Sequence, residues 1–362
     1  MSRVAVLGAG AGGLSSAVEL TQAGHEVRLW NRNPRTIASV AGSRSVSFTG
    51  VLGEGAEKLA LVTTRLAEAL TAADAVVVCL PALAHEAIFT DLADAGCAVP
   101  VVLNPGHTGG ALHARAVFAA RRVTLPPLAE LSTLTYVARV EPTGVLSVTC
   151  RAGQVRCGLL PGGEAAFEIA RDLFPAAVRV PDVIASSLAN VNLVLHPPGA
   201  ILAAAWVEAP GQDFTFYVDG LTPGVARVIS ALDSERRAVA AGFGHDLPPL
   251  IEEMALIGTS SPEQAATGDV ALAIRTGEAN RKIAAPSSLE HRYYEEDLPY
   301  ALAPFVALAA ISRVEVPTAC ALVHLGGLLL GRDLLTSGLN ASRLGLEGLD
   351  LPAVKRVVRA AP

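Results

Sequence analysis

One stretch near the start of the chain, Val4-Ala5-Val6-Leu7-Gly8-Ala9-Gly10-Ala11-Gly12-Gly13, constrains the fold more than any other. Val4 to Leu7 is a short apolar run, the pattern of a strand buried on both faces. Glycines then stand at Gly8, Gly10 and Gly13, the G-x-G-x-x-G spacing. Leu14 to Ala23 reads as a helix stopped by Gly24, and Glu26 to Trp30 as a second strand. Each glycine has a mechanical reason. Gly8 permits a tight turn, Gly10 lets a pyrophosphate approach bare backbone beside Ala11, and Gly13 lets helix and strand pack closely. The helix N-terminus adds free N–H groups and a positive dipole end. Strand, glycines, helix and strand in this order form the context that a dinucleotide-binding βαβ unit requires.

The end of the second strand bears on which dinucleotide. NAD sites place an Asp or Glu about 20 residues past the first glycines, where it holds the ribose 2′-hydroxyl. Here Leu29-Trp30-Asn31-Arg32-Asn33-Pro34-Arg35 contains no acid. Asn31 stands in its place, and Arg32 and Arg35 follow. A carboxylate repels a 2′-phosphate, whereas a guanidinium binds one bidentately. The sequence therefore favours NADP(H), with NAD(H) as the alternative.

The 362 residues suggest two domains, and a composition 51% hydrophobic and 17% charged supports a large core. With a formal net charge of −6 and no basic run, nucleic acid is not an expected partner. The longest uncharged apolar stretches, Ala301 to Ile311 and Ala319 to Leu330, fall short of the ~18–20 residues of a membrane span. They read as buried helices, and no membrane association is expected. Arg3 ahead of an apolar run mimics a signal peptide, but the glycine spacing and the βαβ continuation argue against one, so a cytoplasmic location is expected. Cys79, Cys97, Cys150, Cys157 and Cys320 form no C-x-x-C pair, and no metal site is expected. Cys150 and Cys157 flank a turn at Arg151 to Gln154; a disulfide there is disfavoured in a reducing compartment.

Further along, residues 45–63 suggest a short β excursion. Asp74 to Pro81 is an apolar strand whose end, Leu80-Pro81, should face the dinucleotide. Val101 to Gly106 is another strand and turn, placing Asn104, Gly106 and His107 at the ligand edge of the sheet. His107 is either a contact to nicotinamide or substrate, or a structural loop residue. Strands at Ala138–Val140, Val145–Cys150 and Val155–Leu160 are expected to extend the sheet as a meander. Past Pro181, apolar residues recur at helical spacing. The expected architecture is an α/β Rossmann domain over 1–181, doubly wound and mostly parallel with added strands. An all-α substrate domain over 182–362 follows, with the active cleft between the two.

Two segments of the helical part carry candidate chemistry. In Asn190-Val191-Asn192-Leu193-Val194-Leu195-His196-Pro197-Pro198-Gly199 an apolar helix runs into a histidine. Pro197 disfavours α geometry at the residue before it, so the helix is expected to end at about His196. There the imidazole is either an acid–base group or a helix cap. In Arg292-Tyr293-Tyr294-Glu295-Glu296-Asp297-Leu298-Pro299 three acids precede an apolar helix. Asp297 is either its N-cap or the partner that fixes the tautomer of His196, which would leave Arg292 to clamp a substrate carboxylate. Asn192 and Tyr217, the latter in an aromatic run, are candidates for the substrate side.

The glycine motif, the Asn-x-x-x-x-His-Pro-Pro-Gly segment and the Arg-Tyr-x-x-Glu-Asp-x-Pro segment, in this order, resemble the octopine/nopaline (opine) dehydrogenase family. The resemblance runs from Arg3 to about Leu351. It implies a two-domain NAD(P)-dependent enzyme that joins the amine of an amino acid to a 2-oxo acid and reduces the imine, or runs the reverse oxidation. The family's catalytic histidine and aspartate match His196 and Asp297, and its substrate-contacting arginine matches Arg292. Asn31-Arg32 departs from members that use NAD, which carry an acid there. A homodimer formed through the helical domain is a further implication. Two other readings remain open at this stage. One is a simple keto-acid or hydroxy-acid enzyme, similar to ketopantoate reductase or glycerol-3-phosphate dehydrogenase. Those families use a lysine of the helical domain, and of Lys58, Lys282 and Lys355 only Lys282 qualifies. The other is a redox sensor that binds NADP(H) without turnover.

Overall fold

The computed structural model describes residues 1–211, 213–277, 280–281 and 283–359. Lys282 lies outside the described residues. The strands are β1 (Arg3–Leu7), β2 (Glu26–Trp30), β3 (Ser45–Gly50), β4 (Gly55–Lys58), β5 (Leu61–Thr63), β6 (Ala75–Val78), β7 (Val101–Leu103), β8 (Leu128–Leu131), β9 (Tyr136–Val140), β10 (Leu146–Arg151), β11 (Val155–Leu159) and β12 (Ala177–Arg179).

Eight of them form one sheet in the order β12-β11-β8-β7-β6-β1-β2-β5. All neighbours are parallel except β11 and β8. Val4 to Leu7 of β1 and all of β6 are buried apolar residues, many of them β-branched, as a strand covered on both faces requires. β1 lies between β2 and β6, with Val4 opposite both Val27 and Ala75. The crossover connections therefore leave in opposite directions from β1, and a crevice opens beyond its C-terminal end.

The expected meander is not what forms. β9 and β10 join β3 and β4 in a separate four-stranded sheet, ordered β4-β3-β10-β9, while β11 returns to the main sheet. The burial pattern gives the reason. In β10 Leu146 and Val148 are buried and Thr149 is exposed, so only one face can be covered; β11 is buried almost throughout. Cys150 and Cys157 thus sit in different sheets, and all five cysteines are free.

Beyond β12 the described elements are helices, joined only by an isolated bridge between Thr215 and Ala284. Their spine is the helix Pro223–Phe243, started by Thr222, whose Oγ1 accepts from Val225 N, and ended by Gly244 at φ 90°. A single core cluster includes Val6 and Val77 of the sheet together with Leu193 and Phe305 of the helices. The two parts are packed into one body around the crevice. Among the described residues no helix is long and apolar enough to cross a membrane.

Candidate active site

The loop after β1 is a cradle shaped by what a side chain would collide with. Gly8 has φ +115°, and a Cβ there would lie 2.3 Å from the Cys79 carbonyl oxygen. On Gly13 it would lie 1.9 Å from the Gly8 carbonyl oxygen. Gly10 differs: a Cβ there meets nothing within 4 Å, because the space above it is open. The helix Ala11–Gln22 begins immediately after, three residues earlier than the sequence pattern indicates, and no side chain caps it. Its first N–H groups are therefore available to an anion. Gly10, Ala11 and Gly12 line a cleft of about 710 Å³. The open space and the donor set fit a pyrophosphate.

At the end of β2 the Asn31 amide is committed to the loop. Its Oδ1 accepts from Ala9 N at 3.1 Å, and its Nδ2 donates to Asn33 O at 3.1 Å. Arg32 is exposed and lines a hollow together with Trp30, Asn33 and Leu80. Arg35 is exposed on the helix Pro34–Ala41, outside the lining of both the hollow and the cleft. Leu80, Pro81 and Asn104 reach the cleft. Asn104 is braced there, its Nδ2 donating to Thr135 Oγ1 at 2.9 Å. Gly106 does not reach it. A Cβ on Gly106 would come within 2.6 Å of Glu130 Cβ, so this glycine makes room for the buried Glu130 side chain.

His196 is not at a helix end. The helix Asn192–Leu202 continues through Pro197 and Pro198 and places His196 in its middle. The prolines remove two backbone donors. The helix persists because it is packed against the helices Pro223–Phe243 and Pro317–Leu330 and because its histidine is tied at both nitrogens. Asp297 Oδ2 lies 2.7 Å from His196 Nδ1, and Tyr217 Oη lies 2.6 Å from Nε2. Burial, above all, holds the Tyr217 phenol well above its usual range. Tyr217 is therefore protonated and donates to Nε2, which assigns the ring proton to Nδ1, facing the carboxylate. Tyr293 lies on the imidazole, ring centres 4.1 Å apart, and its Oη is 3.3 Å from that of Tyr217.

Asp297 immediately precedes a π-helical turn, Leu298–Leu302, yet its side chain makes no capping bond. The three consecutive acids diverge. Glu295 faces out and accepts from Arg332 at 2.6 Å, Glu296 turns toward the Rossmann sheet, and Asp297 meets His196. Glu296 Oε1 accepts from Ala82 N at 2.8 Å and lies 3.1 Å from His107 Nε2. Burial keeps His107 below its usual pKa, so its ring is neutral here. Arg292 Nε is 3.1 Å from Glu296 Oε2, a contact without hydrogen-bond alignment, and 52% of the Arg292 side chain stays exposed. Asn192, Arg292 and Tyr217 all line the cleft that contains Gly10.

The structure thus brings together His196, Asp297, Tyr217, Arg292 and Asn192, and all but the buried Asp297 line the cleft that contains the glycine cradle. Tyr293 and Glu296 belong to the same cluster and escape a reading of the sequence. Their only signal is their place between Arg292 and Asp297.

Comparison with known proteins agrees with this arrangement. The family model for the NAD/NADP octopine/nopaline dehydrogenase alpha-helical domain matches residues 179–330. That for the N-terminus of NAD-dependent glycerol-3-phosphate dehydrogenase matches residues 3–103, the dinucleotide end alone. An opine dehydrogenase of Arthrobacter sp. (strain 1C) is 30% identical over 98% of this chain and 98% of its own. Among solved structures, octopine dehydrogenase with NADH and L-arginine superposes with a TM-score of 0.75 at 19% identity, covering 98% of both chains. Yersinopine dehydrogenase with NADP+ bound gives 0.70 at 15% identity, covering 99% of this chain and 97% of the other. At such identities these two establish likeness of fold.

Proposed function

The chain belongs to the octopine/nopaline (opine) dehydrogenase family, and from that premise we propose that it condenses an amino acid with a 2-oxo acid such as pyruvate. The product is an N-(carboxyalkyl)amino acid, and the reverse oxidation is the same reaction run backward. Loss of water gives an imine; a hydride to the former carbonyl carbon and a proton to nitrogen give the secondary amine. NADP(H) is the proposed cofactor, since Asn31 and Arg32 stand at the end of β2 where NAD sites carry an acid; the one carboxylate lining the hollow, Asp91, comes from the helix His85–Asp94. When bound, the dinucleotide supplies the hydride.

The observation that carries this reading is the His196–Asp297 pair, buried at the wall of a cleft that also contains the glycine cradle. Asp297 holds Nδ1–H and stabilises the ring when it becomes cationic. His196 exchanges a proton at Nε2 as water leaves or as nitrogen gains charge, and the Tyr217 hydroxyl links the ring to the substrate. Arg292, with Glu296 behind it, presents its free half to a carboxylate. Asn192 offers its amide at the start of the same helix. Holding two reactants in one orientation accounts for much of the acceleration.

The test is cofactor consumption with pyruvate and a panel of amino acids, run with NADPH and NADH side by side and repeated with His196→Ala. The expected result is turnover that needs both oxo acid and amine, is faster with NADPH and is lost in the variant. Turnover with the oxo acid alone would contradict the condensation, and a preference for NADH would contradict the role given to Arg32.

A further inference from the structure

The condensed imine carries two carboxylates, one from each substrate, and Arg292 presents one guanidinium already leaning on Glu296. A second cation should face the cleft. Arg139 is on β9, in the small sheet, and lines the cleft with Val137 and Val140, a cleft that His291 and Tyr293 also line. It is exposed, and its side chain has no hydrogen-bond or ion-pair partner among the described residues. Several surface arginines of this chain hold acids, as Arg121 pairs with Asp94, Arg151 with Glu19 and Arg332 with Glu295; Arg139 is not among them. Its charge also reaches the catalytic wall. Burial raises the Tyr293 phenol above its usual range, while the Tyr217 hydrogen bond, then Arg292 and, least, Arg139 pull it the other way.

Position within the sheet explains the orientation. β9 pairs with β10 through Arg139 opposite Ser147, and its first residue, Tyr136, is tied to Glu19 of the helix that follows the glycine cradle. Arg139 is three residues further along the same strand. Arg292 is linked through Glu296 to Ala82 and His107, on the Rossmann side. The two arginines therefore line the cleft from two different elements, in a lining that also includes His196 and Tyr293.

We propose that Arg139 is a second carboxylate-binding residue and holds the α-carboxylate of the amino-acid substrate, while Arg292 holds that of the oxo acid. This assignment rests on the condensation reading above. It makes a free α-carboxylate a requirement for the amine substrate, imposed by one side chain.

Arg139→Gln and Arg139→Lys test it, and because Arg139 is exposed and unpaired both should fold. In Arg139→Gln the amino-acid KM should rise about tenfold or more, the loss expected for one charge-assisted hydrogen bond. KM for the oxo acid and Kd for NADPH should stay within about twofold, and Arg139→Lys should recover part of the loss. The wild-type enzyme should discriminate between an amino acid and its amide, which lacks the carboxylate charge, and Arg139→Gln should lose that discrimination. An unchanged amino-acid KM, a parallel rise in every KM, or acid-over-amide preference persisting in the variant would overturn the assignment. Wild-type enzyme without amine-dependent turnover would instead overturn the condensation reading, and this inference with it.

Discussion

At Asp297 two demands compete for one carboxylate, since the residue both precedes a helical turn and stands 2.7 Å from an imidazole nitrogen. The imidazole wins, and the cap is left unmade. Asp297→Asn keeps the shape but lets the ring take the other tautomer. In a serine protease triad the equivalent change lowers kcat about 10⁴-fold. Here a drop of roughly a thousandfold in kcat is expected, with NADPH affinity unchanged by fluorescence titration; loss of both together would mean a structural role instead. Glu130 supplies a second residue-scale expectation. It is fully buried and accepts from Ser186 and Ser187 hydroxyls and from Ala111 N, and burial raises its pKa to about 7. A carboxyl with a raised folded pKa stabilises the fold below its unfolded value and loses that contribution as pH rises through the folded value. Stability should therefore fall by about 3 kcal/mol between about pH 4.5 and pH 7 from this group. Urea unfolding of Glu130→Gln should lack that slope, and an unchanged slope would refute the assignment. Neither Glu130 nor Glu296 is legible in the sequence, because each acts through contacts with residues far along the chain. His196 and Asp297 stand out in the sequence through the resemblance of their segments to the opine dehydrogenase motifs, while the residues alone leave each a capping alternative, and their pairing needs the fold.

Among elements, the glycine loop is the part the sequence describes most fully, because each glycine answers to a local clash or opening. That yields a contrast. Gly13→Ala forces a Cβ against the Gly8 carbonyl and should cost roughly 3 kcal/mol, at the upper end of overpacking. Gly10→Ala meets no protein atom, so its thermal unfolding should match the wild type while NADPH binding weakens about tenfold. Equal destabilisation by the two, measured in one thermal scan, would contradict the division of roles. Two elements defeated local reading. The prolines of the helix Asn192–Leu202 argue for a stop at His196, and tertiary packing together with the two bonds to the ring overrides them. β9 to β11 look like one meander because the turn between Arg151 and Val155 is short. Which sheet each strand joins is decided by whether one face or two are covered, visible only as the difference between β10 and β11.

Across the whole molecule, the crevice at the sheet's switch point and the helical residues around His196 face each other through one cleft. Glu296 joins them, reaching from the helical part to Ala82 and His107. The central claim is that a hydride crosses this cleft to a carbon that has just become bonded to an amine nitrogen. Mass spectrometry of the product made with NADPH deuterated at the nicotinamide carbon that donates hydride tests this directly, with pyruvate and whichever amino acid supports turnover. The account requires a secondary amine with the summed mass of both substrates less one water, plus one deuterium and one hydrogen, the deuterium on the carbon contributed by pyruvate. Deuterated lactate, with the amino acid recovered unchanged, would contradict it.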